Sequence, residues 1–485
     1  MVALSEWTGP GVHQALMASA DRTLLRGLDG TARSGEEIAH RVGQLAGALL
    51  GRGLAGKRIG LWYSNNVAAV EAFLAVEWIG GTRVPLDPDA TADEARTTLE
   101  AAGVASIIAD RTHAALLGDR NRCVEFDTDS QLTSTSVRPV DDAVPGRAHT
   151  LFLRGMTEAG LKILPMSYRN WAATMSLNVG LFRAGRYGPP IDADDLLLTV
   201  QQLMYGTGLM ASFPFLLMGI PQLIVPQFDA RIVLAALERF EVTTALMTST
   251  MLPRLTSLAS SEGKPKHRLR RLMYGGTTLS LPELQAAMNL FGPVLIQIYG
   301  RLEAGWPITL LDQADHEAIA RGETHLAKSC GRAVGPPVEF ALRAPVPPGD
   351  LTKGDLTQTE VCTRSELTID GFADSDGWCR TGDLAEVDEA GYVYLGGRPD
   401  GMINTGYHIY PAEIEKVIRS VDGVADVLVR GEARPTYGHA IVAYIVADDS
   451  RSTDDLPNVV TGTLEAKLAR HKRPHRLMLV KELPR

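Results

Sequence analysis

The chain has 485 residues, 45% of them hydrophobic and 22% charged, with a formal net charge of −9. That length exceeds what one ordinary core fills, so two or three globular domains are expected, and the acidic balance argues against a nucleic-acid surface. No basic segment leads into an apolar run, and no stretch approaches the roughly 18 uninterrupted apolar residues of a membrane span, so neither a secretory leader nor a membrane partner is expected. Cys123, Cys330, Cys362 and Cys379 are far apart and form no C-x-x-C pair. This argues against zinc ligation or a disulfide framework and fits a reducing cytoplasm.

Along the chain, Ser34 to Glu37 have capping-box spacing, and Ile38, Val42, Leu45, Ala46, Leu49 and Leu50 then fall on one helical face. Arg58 to Trp62 reads as a strand, Asn66 to Glu77 as a helix, and Val84 to Pro88 closes the unit. Strand–helix–strand units of this kind predict parallel sheets covered by helices on both faces. Thr133 to Gly146 is polar and contains proline, as a surface connection does. Thr150 to Lys162 is a segment with Thr150, Thr157, Gly155, Gly160 and a terminal Lys. The apolar stretch Leu209 to Ile224 contains Ser, Pro and Gly and reads as a buried helix and strand. Val242 to Met247 is a further strand. Arg271 to Leu279 contains Gly275 and Gly276, and Ile296 to Glu303 contains Tyr299 and Gly300. After Gly335 to Pro337 the pattern turns to short β segments. Pro411 sits where a helix begins. Val427–Gly431, Ile441–Val446 and Leu477–Val480 read as strands, and Leu464–Leu468 as helical.

The stretch Gly377 to Glu415 joins these two regimes. It contains Thr381-Gly382-Asp383 and Gly397-Arg398-Pro399-Asp400, and it resembles the domain junction of the adenylate-forming superfamily of acyl-CoA synthetases, peptide-synthetase adenylation domains and luciferases. The resemblance extends over nearly the whole chain. It implies an α/β protein with a large AMP-binding domain at 1–397, made of two α/β lobes and a β-rich lobe. A hinge at 398–400 and a small mobile α+β domain at 401–485 would follow. In the family Thr-Gly-Asp ends a strand. Asp383 would then hold the ribose hydroxyls of AMP, Gly275 and Gly276 would pack against adenine, and Tyr299 beside Gly300 would stack on it. Glu303 would help to hold Mg²⁺, Arg398 and Asp400 would form the pivot, and the loop with Gly406 would line the thiol tunnel. Thr157, Glu158 and Lys162 occupy the place of the phosphate loop. Met204 and Tyr205 stand where relatives carry the aromatic or His gate of the acyl pocket.

The departures from the family pattern fall on one side. Met156 replaces a glycine, Glu158 and Leu302 replace hydroxyl residues, Arg154 a small polar residue and Ala159 another small one. The chain given stops at Leu483-Pro484-Arg485, before the lysine that serves adenylation in relatives. Features for AMP recognition and domain rotation are kept, whereas those for phosphate chemistry are altered. The resemblance therefore implies an acyl-CoA ligase homologue specialised for the thioester half-reaction, taking an acyl-adenylate and CoA to acyl-CoA and AMP. A separate adenylating enzyme would supply the adenylate, and ATP and Mg²⁺ would be used only if adenylation is retained. The missing gate and the small residues at Gly206 to Gly208 suggest a bulky, apolar acid such as a natural product. A complete ATP-dependent ligase and a non-catalytic adenylate binder stay open as alternatives, as does a carrier-protein arm in place of CoA.

Overall fold

The computed structural model describes residues 3–118, 122–141, 143–157, 160–277, 279–344, 359–397, 403–405, 407–433, 439–448 and 455–484. Its first sheet has six strands, in spatial order Cys123–Glu125, Ser106–Ala109, Arg58–Trp62, Thr82–Pro85, Ala148–Thr157 and Gly160–Ser167. All pairings are parallel except the last, which is a hairpin. The second sheet has nine strands around a parallel centre of Thr23–Gly27, Gln222–Ile224, Leu197–Thr199, Thr244–Thr248, Arg271–Gly275 and Leu295–Arg301. The two α/β lobes of the expectation are thus present, but they interleave. Strand Thr23–Gly27 precedes the first lobe in sequence and belongs to the second sheet.

Local signals account for the element boundaries. Ser34 caps the helix Gly35–Gly51 with Glu37 closing the capping box, and Asn66 caps Val67–Trp78 by accepting from the Ala69 amide at 2.7 Å. Every residue of Val67–Trp78 is buried, which suits a helix that is apolar all round. Its two acids are each matched. Glu71 accepts from Arg41 at 2.9 Å, and Glu77 lies 3.5 Å from Arg83 and 3.0 Å from His149.

A four-stranded antiparallel sheet, Glu339–Arg343, Thr359–Arg364, Cys379–Val387 and Val393–Gly397, forms the β-rich lobe. The C-terminal unit packs helices Pro411–Arg419 and Leu456–Lys467 on the strands Val424–Ala433, His439–Ala447 and Arg476–Leu479. It has a core of its own around Ile403, Ile414, Ile418, Val427, Ile441 and Val460. The fold is therefore mixed α/β with a large N-terminal and a small C-terminal domain. The hinge positions Arg398 and Asp400 lie outside the described residues, as do Glu158 and Gly406.

One expectation is corrected. Thr381-Gly382-Asp383 does not end a strand but lies in the middle of Cys379–Val387. Gly382 adopts φ +75°, and the ladder shifts register between Glu360 and Cys362 and again between Leu384 and Ala385. Bulges re-aim a side chain without ending the strand, and here they leave Asp383 directed into the cleft.

Candidate active site

The cleft between the two domains has a volume of about 1440 Å³. This exceeds the roughly 300–1,000 Å³ of an ordinary small-molecule pocket. Its floor is the carboxyl edge of the nine-stranded sheet, where open parallel sheets place their ligands. Thr248, Gly275 and Tyr299 reach it from three neighbouring strands.

The glycines there are fixed by close packing. A Cβ on Gly275 would stand 2.4 Å from the Ile298 carbonyl oxygen, and one on Gly300 2.8 Å from the Trp306 ring. Gly276 has φ +101°, a region other residues rarely adopt. The result is a stretch of bare backbone at the edge of the cleft, a surface against which a flat base can lie.

Tyr299 donates its phenol to Asp383 at 2.7 Å. Burial, and then the Asp383 carboxylate, push that phenol well above its usual pKa, so it stays a donor. Arg301 lies 3.9 Å from Asp383 and 3.5 Å from Glu303, and Lys162 lies 3.3 Å from Glu303. Two carboxylates and two cations thus form one chain of charge contacts, of which Arg301 and Asp383 line the cleft. Asp383 and Tyr299 can hold a ribose, while Arg301 and Lys162 can face a phosphate. Sequence reasoning gave Arg301 no role. Arg301 ends the strand Leu295–Arg301, beyond a register shift after Tyr299, and Glu303 lies in the turn that follows, so no strand alternation marks it. Glu303, already matched by two cations, offers one carboxylate oxygen set to a Mg²⁺ that would otherwise take phosphate and water oxygens. That donor set fits such an ion only together with a bound polyphosphate. The backbone of Met156 and Thr157 pairs with Leu161 and Gly160 in the hairpin that carries Lys162.

The apolar part of the cleft includes Met204, Met210, Leu246, Ile298, Leu302 and Trp306. Leu302 is 5% exposed, and a Cβ on Gly206 would lie 3.2 Å from its Cδ1. The residue that stands in place of a hydroxyl is therefore part of the apolar wall. Met204 lines this wall and Tyr205 stands beside it, with its phenol donating to Asp87 at 2.9 Å. Asp87 and Tyr407, which line the same cleft, were not singled out from the sequence.

None of the four cysteines is in a disulfide among the described residues. Burial raises the thiols of Cys330 and Cys379 to about 12, so neither is a thiolate near neutral pH. A covalent acyl-cysteine route has no candidate there, and the cleft instead has the size to bring two substrates together.

The family model described as AMP-binding enzyme matches residues 12–359, and that of the AMP-binding enzyme C-terminal domain matches residues 413–485. A medium/long-chain-fatty-acid–CoA ligase of Mycobacterium tuberculosis is 30% identical over 294 residues, covering 56% of this chain and 48% of that protein. The matched part thus spans about half the length of that ligase. A 2-succinylbenzoate–CoA ligase of Oceanobacillus iheyensis is 26% identical over 496 residues, covering 99% of this chain and 97% of the relative. The amide bond synthetase McbA of Marinactinospora thermotolerans has a similar structure, with TM-score 0.82 at 25% identity, covering 98% of this chain and 96% of that one. Two structures of o-succinylbenzoate CoA synthetase from Bacillus subtilis, each 22% identical to this chain, differ in likeness. The TM-score is 0.81 for a double mutant bound to the product analogue OSB-NCoA, covering 98% and 95% of the two chains. It is 0.67 for the complex with the acyl-adenylate OSB-AMP, covering 97% and 95%. The overall arrangement of this chain is nearer to the former.

Proposed function

The chain belongs to the AMP-binding enzyme family and its relatives are acyl-CoA ligases; from that premise we propose that it carries out the thioester-forming half of the ligase reaction. The thiol of CoA gives up its proton to solvent, its sulfur attacks the carbonyl carbon of an acyl-adenylate, the bond from that carbon to the bridging phosphate oxygen breaks, and AMP leaves. The acyl donor is already activated, so the step needs chiefly binding and alignment.

Leu302 is the observation that carries this reading. A buried leucine packed against the Gly206 backbone replaces a hydroxyl donor, which leaves the phosphate end of the cleft poorer while the acyl end gains apolar surface. Removing one preorganised donor typically costs about 10²–10³ in rate. The residues for the adenosine end, Tyr299 and Asp383, are in contact with each other and line the cleft. The proximity of the small domain supports the same reading, with Tyr407 5.8 Å from Tyr205 at the acyl pocket. Asp383 and Tyr299 bind the nucleoside, Arg301 and Lys162 balance the departing phosphate, and Gly275 and Gly276 supply the ledge for adenine. The substrate acid is bulky and apolar, since Met204, Met210, Leu246, Ile298, Leu302 and Trp306 belong to one apolar cluster that reaches the cleft. The sequence-based boundaries at 397/398 and 400/401 complete the proposal, with Arg398 and Asp400 as pivot and Gly406 near the thiol. A separate adenylating enzyme would supply the acyl-adenylate.

A second reading, the complete ATP-dependent ligase, is favoured by the Lys162–Glu303 pair, which keeps a phosphate-binding cation beside a potential metal carboxylate. Calorimetry separates the two. The half-reaction enzyme binds an acyl-sulfamoyl adenosine tightly, and it binds ATP with Mg²⁺ no better than AMP. A gain in affinity from AMP to ATP would favour the complete ligase.

A further inference from the structure

The two domains are joined across the cleft by side chains 378 residues apart in sequence. The turn Arg470–Lys472 of the small domain lies against the loop at Asp87 and the helix Ala92–Ala101 of the large one. Lys472 bridges Glu94 at 3.2 Å and Glu413 at 2.8 Å. Glu94 is fixed independently of that contact, because its other oxygen accepts from the Thr91 amide at 3.0 Å to close a capping box. One residue earlier, His471 Nε2 lies 3.3 Å from one oxygen of Asp87, whose other oxygen accepts the Tyr205 phenol at 2.9 Å. The Asp87 loop is itself pinned, since the Trp62 indole donates to the Asp87 carbonyl at 2.9 Å and His113 Nε2 lies 3.0 Å from the Pro88 carbonyl oxygen. The His471 ring stacks on Tyr407 at 4.4 Å.

These contacts divide by domain. Lys472–Glu413 lies within the small domain and survives any rotation of it, so the ammonium stays extended and ready. Lys472–Glu94 and His471–Asp87 cross the cleft and break together when the small domain swings away. Burial alone would lower the Lys472 pKa, but Glu413 and Glu94 outweigh it and hold the ammonium well above the usual lysine value, so its charge does not switch near neutral pH.

We propose that His471 and Lys472 are positioning residues, a docking arm that holds the small domain in this orientation and, through Asp87, holds Tyr205 beside the acyl pocket. The inference rests on the reading that thioester formation takes place in this orientation. A misplacement of about 1 Å can cost on the order of 10²-fold in rate, so a contact that sets the orientation acts on chemistry it never touches.

The test uses Glu94→Gln, which keeps the cap, together with Lys472→Met and the double variant. In single turnovers from purified acyl-adenylate and CoA, each single variant slows thioester formation about 10-fold or more. The double variant is no slower than the slower single one, because both changes remove one contact. Affinity for an acyl-sulfamoyl adenosine is unchanged, which also reports that the variants are folded. A second readout needs no turnover. The distance distribution between spin labels at Ser261 and Thr461 is narrow in the unmodified protein and gains a second population in both variants. If the protein forms no thioester, that distribution still decides the docking arm separately from the reaction. An unchanged distribution, or rate effects that multiply in the double variant, overturns the proposal.

Discussion

Asp383 accepts the Tyr299 phenol at 2.7 Å and stands 3.9 Å from Arg301, so one carboxylate organises the end of the cleft proposed to hold adenosine. Asp383→Ala is expected to weaken binding of an acyl-sulfamoyl adenosine by about 1.5–3 kcal/mol, the range for hydrogen bonds to a charged group. Calorimetry reads this directly, and an unchanged affinity would remove Asp383 from the site. At the acyl end, a methyl on Gly206 would press on Leu302 at 3.2 Å. Gly206→Ala should therefore lower kcat/KM for bulky acyl-adenylates by about 10-fold or more, the effect of one methyl group in a hydrophobic pocket. Gly206→Ala with Leu302→Ala should recover most of the loss, and a double variant as slow as the single one would place the acyl group elsewhere. The residue types of this site were legible because Tyr299, Gly300, Glu303 and Asp383 stand in short ordered motifs. Arg301 was not, since its partner Asp383 belongs to another sheet and becomes a neighbour only when the two sheets meet. The direction of Leu302 toward Gly206 was equally hidden, because a sequence shows the loss of a hydroxyl and not where its replacement points.

Elements joined by buried charge set the acid limit of the large domain. Glu77 on the helix Val67–Trp78, Arg83 on Thr82–Pro85 and His149 on Ala148–Thr157 meet in the interior. Burial, with Arg83 second, lowers the His149 pKa to about 4. Glu77 is below its usual range although burial, the largest influence, raises it, because His149 and Arg83 prevail. The unfolded chain takes up a proton at His149 near the ordinary value of about 6.5, whereas the folded chain does so only near about 4. Stability from this group is therefore full above about 6.5 and falls as the pH drops toward about 4, with Glu77 adding a loss in the same direction below its unfolded value. Denaturant unfolding between pH 7 and 4 should show this decline, and His149→Gln should flatten its upper part. A His149→Gln profile with the original slope would contradict the assignment. Capping boxes such as Ser34–Glu37 and the strand Arg58–Trp62 were readable because each signal is complete within a few residues. The continuation of Cys379–Val387 through Asp383 was not, since the bulge depends on the pairing partners Glu360 to Cys362.

In the proposed half-reaction the small domain changes orientation against the large one. Asp400 stands at the position expected to be the pivot, so Asp400→Pro should leave binding of the adenosine mimic intact while thioester formation falls sharply. Full turnover in that variant would mean that rotation about this residue is not needed. The two-domain division was visible in the sequence as a change of pattern around Gly377 to Glu415. The contacts that seat one domain on the other, Lys472 with Glu94 and His471 with Asp87, were not, because no local pattern links residues so far apart. The central claim is that the chain works on a preformed acyl-adenylate. It is tested by following both products in parallel over a panel of bulky apolar acids: pyrophosphate from acid, ATP and Mg²⁺, and AMP from the matching acyl-adenylate with CoA. CoA-dependent AMP release is expected at ordinary enzyme rates of about 1–10³ s⁻¹, with acid-dependent pyrophosphate release at least about 10²-fold slower. Pyrophosphate release at the same rate as AMP release would contradict it and make the protein a complete ligase.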